Sequence, residues 1–314
     1  AGCLAEELVI TRNTTESLDL AIGGQNWDAG DEAIMAEQDY GAMLDMFTQV
    51  KDRYGVVNKI ISVPNHPKND EEIVDLYKNA ITPKTKMIFF NSPNNPSGTI
   101  YSEAEYRALA AVLEKHPKIF ILSDEIYEHI NYNTKPFSFA AIESMYDRTI
   151  TVNGLAKAFA MTGWRIGYIG APQWIAKACT KMQGQITSGT NCIAQRAAIT
   201  AVLAPVSKIQ YMVNEFKTRR NIIIELLREI EGFKVNVPEG AFYVFPDISA
   251  FFGKTINGVK IENASDFSLF LLEKANVATV TGEAFGTPNC IRLSYAASEA
   301  QIREAIKRIK QALS

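Results

Sequence analysis

"KTKMIFFNSPNNPSGTIYSEAEYRALAAVLEKHPKIFILSDEIYE", residues 84–128, decides the fold. Its two strand-length apolar runs, KMIFFN (86–91) and KIFILSD (118–124), flank SEAEYRALAAVLEKH (102–116). In that middle segment Ser102 stands as a cap, and Tyr106, Leu109 and Leu113 fall at helical spacing. Strand, helix and strand in this order predict a parallel crossover unit, covered on both faces.

The alternation continues in both directions. ELVITR (7–12), DEAIMAE (31–37), NKIISV (58–63), TITVN (149–153) and IGYIG (166–170) bring the strands to seven, with helical patterns between them. The fold class is therefore α/β, a mainly parallel seven-stranded sheet with helices on both faces. After about residue 204 the pattern becomes α+β. A long charged amphipathic helix, SKIQYMVNEFKTRRNIIIELLREI (207–230), leads to FKVNVPEGAFYVFPDIS, a helix near 265–275, the strand CIRLSYA and a terminal helix. Residues 1–206 are expected to form a large α/β domain, and 207–314 the connecting helix and a smaller α+β domain.

The 314 residues are enough for two cores, and 47% hydrophobic with 21% charged residues describes an ordinary globular chain. A net charge of -3 gives no basic footprint for nucleic acid or an anionic membrane surface. No run approaches the roughly 18 apolar residues of a membrane span. Cys3, Cys179, Cys192 and Cys290 form no C-x-x-C, and His66, His116 and His129 have no metal-ligand spacing. No metal or disulfide framework is expected, and reduced thiols fit a cytoplasm. AGCLAEELVITR (1–12) reads as a helix end running into a strand, without an export signal, so the chain is expected to start inside a domain.

Asp124 ends an apolar strand, where open α/β sheets bind ligands, and Tyr127 follows three residues on. Alone, such an aspartate reads as a helix cap. FFNSPNNPSG (89–98) places Asn95 at the same sheet edge, although an isolated N-P-x-G is only a turn. TRNTTES (11–17) puts Thr14 and Thr15 where a strand becomes a helix, offering N–H groups and hydroxyls to an anion, or simply a cap. Lys157 lies among small and apolar residues with Arg165 eight positions later; the plainer reading of Lys157 is an exposed lysine on a loop.

Together these residues resemble the fold type I enzymes that use pyridoxal 5'-phosphate (PLP), and among them the class I aminotransferases of the bacterial aspartate kind. AITPKTKMIFFNSPNNPSG, SDEIYE, NGLAKAFAMTGWRIGY, VPEGAFYVFPD and CIRLSYA carry the likeness, which runs from about residue 81 to 314. The resemblance implies Lys157 as the Schiff-base lysine and proton shuttle, and Asp124 as the acid facing the pyridine nitrogen. It implies Tyr127 and Asn95 on the ring's phenolic oxygen, and Arg165 with Thr14 and Thr15 on the phosphate. Arg292 becomes the clamp for the substrate α-carboxylate, against a plainer reading as an ion pair in a strand. Pro238 and Gly240 are expected to form a turn bringing the smaller domain near the cofactor. Trp164 and Phe159 are expected to pack, and His129 and Cys192 to be structural.

The front of the chain is different. VITRNTTESLDLAI and AGDEAIMAEQDYGAMLDMF are similar to class V PLP enzymes of the isopenicillin N epimerase kind, so residues 1–80 read as one half of a chimera. The residue stacking on the cofactor is then Tyr40, with Asp39 as its rival. Gly154 stands where many class I enzymes have a phosphate-binding serine. The likeness implies a cytoplasmic homodimeric aminotransferase that moves an amino group from aspartate or a similar L-amino acid to 2-oxoglutarate. The alternatives are other PLP chemistry, an epimerase or lyase, or a catalytically silent recombined fold.

Overall fold

The computed structural model describes residues 2–64, 67–132 and 135–314; His66 lies outside them. All seven expected strands form: β1 (Leu8–Thr11), β2 (Glu32–Ala36), β3 (Val57–Ile61), β4 (Thr85–Asn91), β5 (Phe120–Asp124), β6 (Thr149–Gly154) and β7 (Gly167–Gly170). They make one sheet in the order β1-β7-β6-β5-β4-β2-β3. From β3 to β6 neighbours are parallel, whereas β7 runs antiparallel to both β6 and β1. The reversal has a local cause. The connection 155–166 holds only the 3-10 turn Thr162–Trp164 and no crossover helix, so the chain doubles back beside β6.

Helices α1 (Thr14–Gly23), α2 (Gly41–Tyr54), α3 (Asp70–Ala80), α4 (Glu103–Leu113) and α5 (Gln173–Ile186) cover the sheet. The period of two in β4 sorts its side chains: Met87 and Phe89 join Leu18, Ile22, Phe47 and Ile175 of α1, α2 and α5 on one face. Ile88 and Phe90 join Ile73, Tyr77, Tyr106 and Leu109 of α3 and α4 on the other. A strand buried on both sides needs an apolar residue at every position, which is why KMIFFN reads as a continuous run. Each such side chain contributes about 1.5–3 kcal/mol by leaving water. Helix α4 starts at the expected cap: Ser102 Oγ accepts the Glu105 N–H at 3.1 Å, and Glu105 Oε2 accepts the Ser102 N–H at 2.7 Å.

After α6 (Cys192–Leu203), the long helix α7 (Gln210–Arg228) leads to β8 (Tyr243–Val244), the hairpin β9 (Thr255–Ile256) and β10 (Val259–Lys260), α8 (Ala264–Ala275), β11 (Val280–Thr281), β12 (Ile291–Ser294) and α9 (Glu299–Leu313). Strands β11, β12 and β8 form a second, antiparallel sheet. Its core is shared with Ile126, Tyr127, Ile130 and Tyr132, the segment that follows β5. Burial of those four side chains fixes the second sheet against the C-terminal edge of the first.

One backbone junction reinforces that placement. The Gly98 carbonyl accepts the N–H groups of Glu239 at 2.8 Å and Gly240 at 2.9 Å. A Cβ on Gly240 would stand 2.6 Å from Pro93 Cβ, so the turn requires glycine. Among the described residues no helix is long and apolar enough to cross a membrane.

Candidate active site

Strands β4, β5 and β6 end side by side, so their last residues, Asn91, Asp124 and Gly154, share one edge of the sheet. Above this edge lies a cavity of about 360 Å³. All nine residues singled out from the sequence line it: Thr14, Thr15, Tyr40, Asn95, Asp124, Tyr127, Lys157, Arg165 and Arg292. Asp39, the rival to Tyr40, is buried to 3% and does not line the cavity; its Oδ2 accepts the Ala36 N–H at 2.7 Å and holds the β2–α2 turn.

Asp124 closes β5 with its carboxylate 3% exposed, Oδ1 accepting the Ile126 N–H at 3.1 Å. Burial pushes this acid up to about 7, against the pull of that N–H and of the Lys157 ammonium. Lys157 moves the opposite way. Burial lowers its pKa, nearby Arg292 and Arg165 lower it further, and Asp124 opposes them. A carboxylate and an amine, each made uncomfortable in its charged form, thus face the same space.

The N-terminus of α1 forms another wall. Asn13 caps it, Oδ1 accepting the Glu16 N–H at 2.8 Å, which leaves Thr14 and Thr15 in a first turn whose N–H groups have no intrahelical acceptor. Arg165 adopts the left-handed conformation (φ 57°) after the Thr162–Trp164 turn, and its Nη1 donates to the Thr162 carbonyl at 2.7 Å. A helix start and a guanidinium lining one cavity have the chemistry to receive an anion.

On the opposite wall, Arg292 of β12 donates from Nη1 to Asn95 Oδ1 at 2.7 Å. Asn95 is itself fixed, its N–H donating to Asn91 Oδ1 at 3.0 Å. The Arg292 guanidinium lies 4.5 Å from the ring centroid of Tyr243 and 4.9 Å from that of Phe285.

Several lining residues have no distinct sequence signal, among them Asn13, Asn91, Thr162 and Tyr243. Asn91 and Thr162 sit beside residues singled out above and were open to inference from their place at a strand end and in the Lys157–Arg165 loop. Tyr243 comes from the distant VPEGAFY segment, and only the junction at Gly98 brings it near. Phe159 packs with Leu155 and Ile166, as expected. Trp164 does not: it is 46% exposed, because the 3-10 turn that aims Arg165 at the cavity turns the indole outward. His129 pairs with Glu128 at 3.2 Å, and Cys192 is exposed at the start of α6.

The donor set fits pyridoxal 5'-phosphate. A buried carboxyl with little compensation matches a protonated ring nitrogen, the depressed lysine matches an aldehyde, and the α1 terminus with Arg165 matches a phosphate.

A model of the family "aminotransferase class I and II" matches residues 4–309. The bifunctional aspartate aminotransferase and glutamate/aspartate-prephenate aminotransferase of Petunia hybrida is 44% identical over 243 residues, 76% of this chain and 51% of that protein. Aspartate aminotransferase of Rhizobium meliloti is 45% identical over 236 residues, 74% of this chain and 58% of that protein. The chain thus spans little more than half the length of these curated relatives. The crystal structure of the Rhizobium meliloti aspartate aminotransferase superposes with a TM-score of 0.90 at 36% identity, covering 100% of this chain and 78% of that one. An aromatic aminotransferase from Pyrococcus horikoshii gives 0.86 at 29% identity, covering 98% and 79%. All of these are named aminotransferases, which gives the epimerase or lyase alternative no support. Because the family match takes in both the strand ending at Asp124 and the loop bearing Lys157, the chain belongs to the class I and II aminotransferases.

Proposed function

We propose that the chain is a transaminase that takes the amino group of aspartate or a similar L-amino acid and passes it to 2-oxoglutarate, with pyridoxal 5'-phosphate as cofactor. The observation that carries this reading is the shared cavity of Lys157, Asp124 and Arg292. When bound, the cofactor supplies an aldehyde and an electron-accepting ring. The chain's own residues do the rest. Asp124 would keep a proton on the ring nitrogen. Tyr127 and Asn95 would offer hydrogen bonds to the ring's phenolic oxygen, and Tyr40 would be the residue to stack on the ring. Arg165 with the Thr14–Thr15 turn would hold the phosphate. Arg292, steadied by Asn95, takes the α-carboxylate as a planar two-pronged donor, which orients the Cα–H bond. Lys157, with its ammonium form disfavoured, is free to lift the Cα proton at Nζ and return it elsewhere. A cytoplasmic homodimer is part of the proposal.

The test is spectroscopic first. Pyridoxal phosphate added to the chain should give a visible band that borohydride traps covalently, and Lys157→Ala should abolish the trapping. Aspartate should then release one equivalent of oxo acid without acceptor and many with 2-oxoglutarate. A chain that shows no trapped cofactor at Lys157 is not this enzyme.

A further inference from the structure

Tyr243 stands between two parts of the site that the proposed reaction uses separately. Its hydroxyl lies 3.0 Å from the Tyr127 hydroxyl. Its ring lies 4.5 Å from the Arg292 guanidinium, which Phe285 faces at 4.9 Å. Tyr243 is 8% exposed and opens the short strand β8, whose backbone pairs directly with the strand of Arg292 through Ser294↔Tyr243 and Leu293↔Val244. A residue held by its own strand against the clamp's strand cannot drift from Arg292 without breaking the sheet.

Resting on the transaminase reading, we infer that Tyr243 is a positioning residue that couples the carboxylate clamp to the phenol of Tyr127. Two roles follow from its two ends. Between two phenols one proton must point one way. If Tyr127 is to donate to the cofactor's ring oxygen, then Tyr243 must donate to Tyr127, and that donation strengthens Tyr127 as a donor. At the other end, the ring face holds the Arg292 guanidinium flat, with its remaining N–H groups turned to the cavity. The charged and titratable groups around Tyr127 are Asp124, Arg292 and Lys157, besides Tyr243 itself.

Tyr243→Phe and Tyr243→Leu separate the two roles. The first readout is the pH midpoint of the visible band of the protein loaded with pyridoxal phosphate. The second is the affinity for maleate, measured by calorimetry on the loaded and on the cofactor-free chain. Tyr243→Phe should raise the midpoint by about half a pH unit or more and leave maleate affinity unchanged. Tyr243→Leu should raise the midpoint and also weaken maleate about fivefold to tenfold in both forms. Wild-type midpoints in both variants, or wild-type maleate affinity in Tyr243→Leu, overturn the coupling while leaving the transaminase reading standing. Failure of the wild-type chain to form the band overturns both.

Discussion

Gly167 of β7 is pressed against Asn13: a Cβ on it would stand 2.6 Å from the Asn13 carbonyl carbon and 2.8 Å from Thr11 Oγ1. The start of α1, and with it the wall formed by Thr14 and Thr15, can lie where it does only because this position has no side chain. Gly167→Ala should cost about 1–3 kcal/mol of stability by forcing backbone apart. On the proposed reading it should also weaken pyridoxal phosphate binding more than pyridoxal binding, since the displaced element carries Thr14 and Thr15, the residues proposed for the phosphate. Urea unfolding and equilibrium dialysis with the two aldehydes check both.

Asn236 is 3% exposed and ties two segments together: Nδ2 donates to the Ser97 carbonyl at 2.7 Å, and Oδ1 accepts the Phe245 N–H at 2.8 Å. Asn236→Leu keeps the branched heavy-atom skeleton and removes both hydrogen bonds, leaving the two backbone groups buried without these partners. A loss of about 2–4 kcal/mol is expected, read as a shift of the urea midpoint at constant slope.

The carboxyl of Asp124 is raised from its ordinary range to about 7 by burial in the cofactor-free chain. The folded state therefore holds this proton more tightly than the unfolded state. Its contribution is fully present below about pH 4 and is lost as pH rises toward 7. Asp124→Asn should be more stable than wild type by about 1–3 kcal/mol at pH 8 and indistinguishable at pH 4. Denaturant midpoints across that window measure it. If the chain is the proposed transaminase, the same change should reduce turnover at least about a hundredfold, because the ring nitrogen would lack its counter-charge.

Burial and the guanidinium groups of Arg292 and Arg165 lower the Lys157 pKa. In the cofactor-free chain at pH 8, Lys157 should react with a small amine-reactive electrophile faster than Lys78 or Lys307, which lie on exposed helix faces. Asp124→Asn should lower the Lys157 pKa further, by removing the one opposing charge. Peptide-resolved labelling against pH is the measurement.

Much of this architecture is legible in the sequence, for identifiable reasons. Strands buried on both faces must be apolar throughout, so β4 and β5 announce themselves, and the Ser102–Glu105 pair marks the start of α4. Residues at strand ends and helix starts fall on one sheet edge by topology, which is why the singled-out residues meet in one cavity. The direction of β7 is not legible, since a twelve-residue connection is compatible with either sense and only its lack of a helix decides. Tyr243 was beyond reach because it stands on the second sheet, whereas the phenol it meets, Tyr127, follows β5 of the first. Gly154 raises a different point. A Cβ there would lie 3.0 Å from the Ile166 carbonyl oxygen and 3.2 Å from Gly167 Cα, so a serine would have to push its neighbours aside.

The paired N–H groups on the Gly98 carbonyl have one more implication. They tie the loop bearing Asn95 to the turn ahead of β8, so the guanidinium of Arg292 and its amide anchor are held in one register by backbone as well as by side chain. Side chains lining the cavity can then be exchanged without loosening that backbone brace.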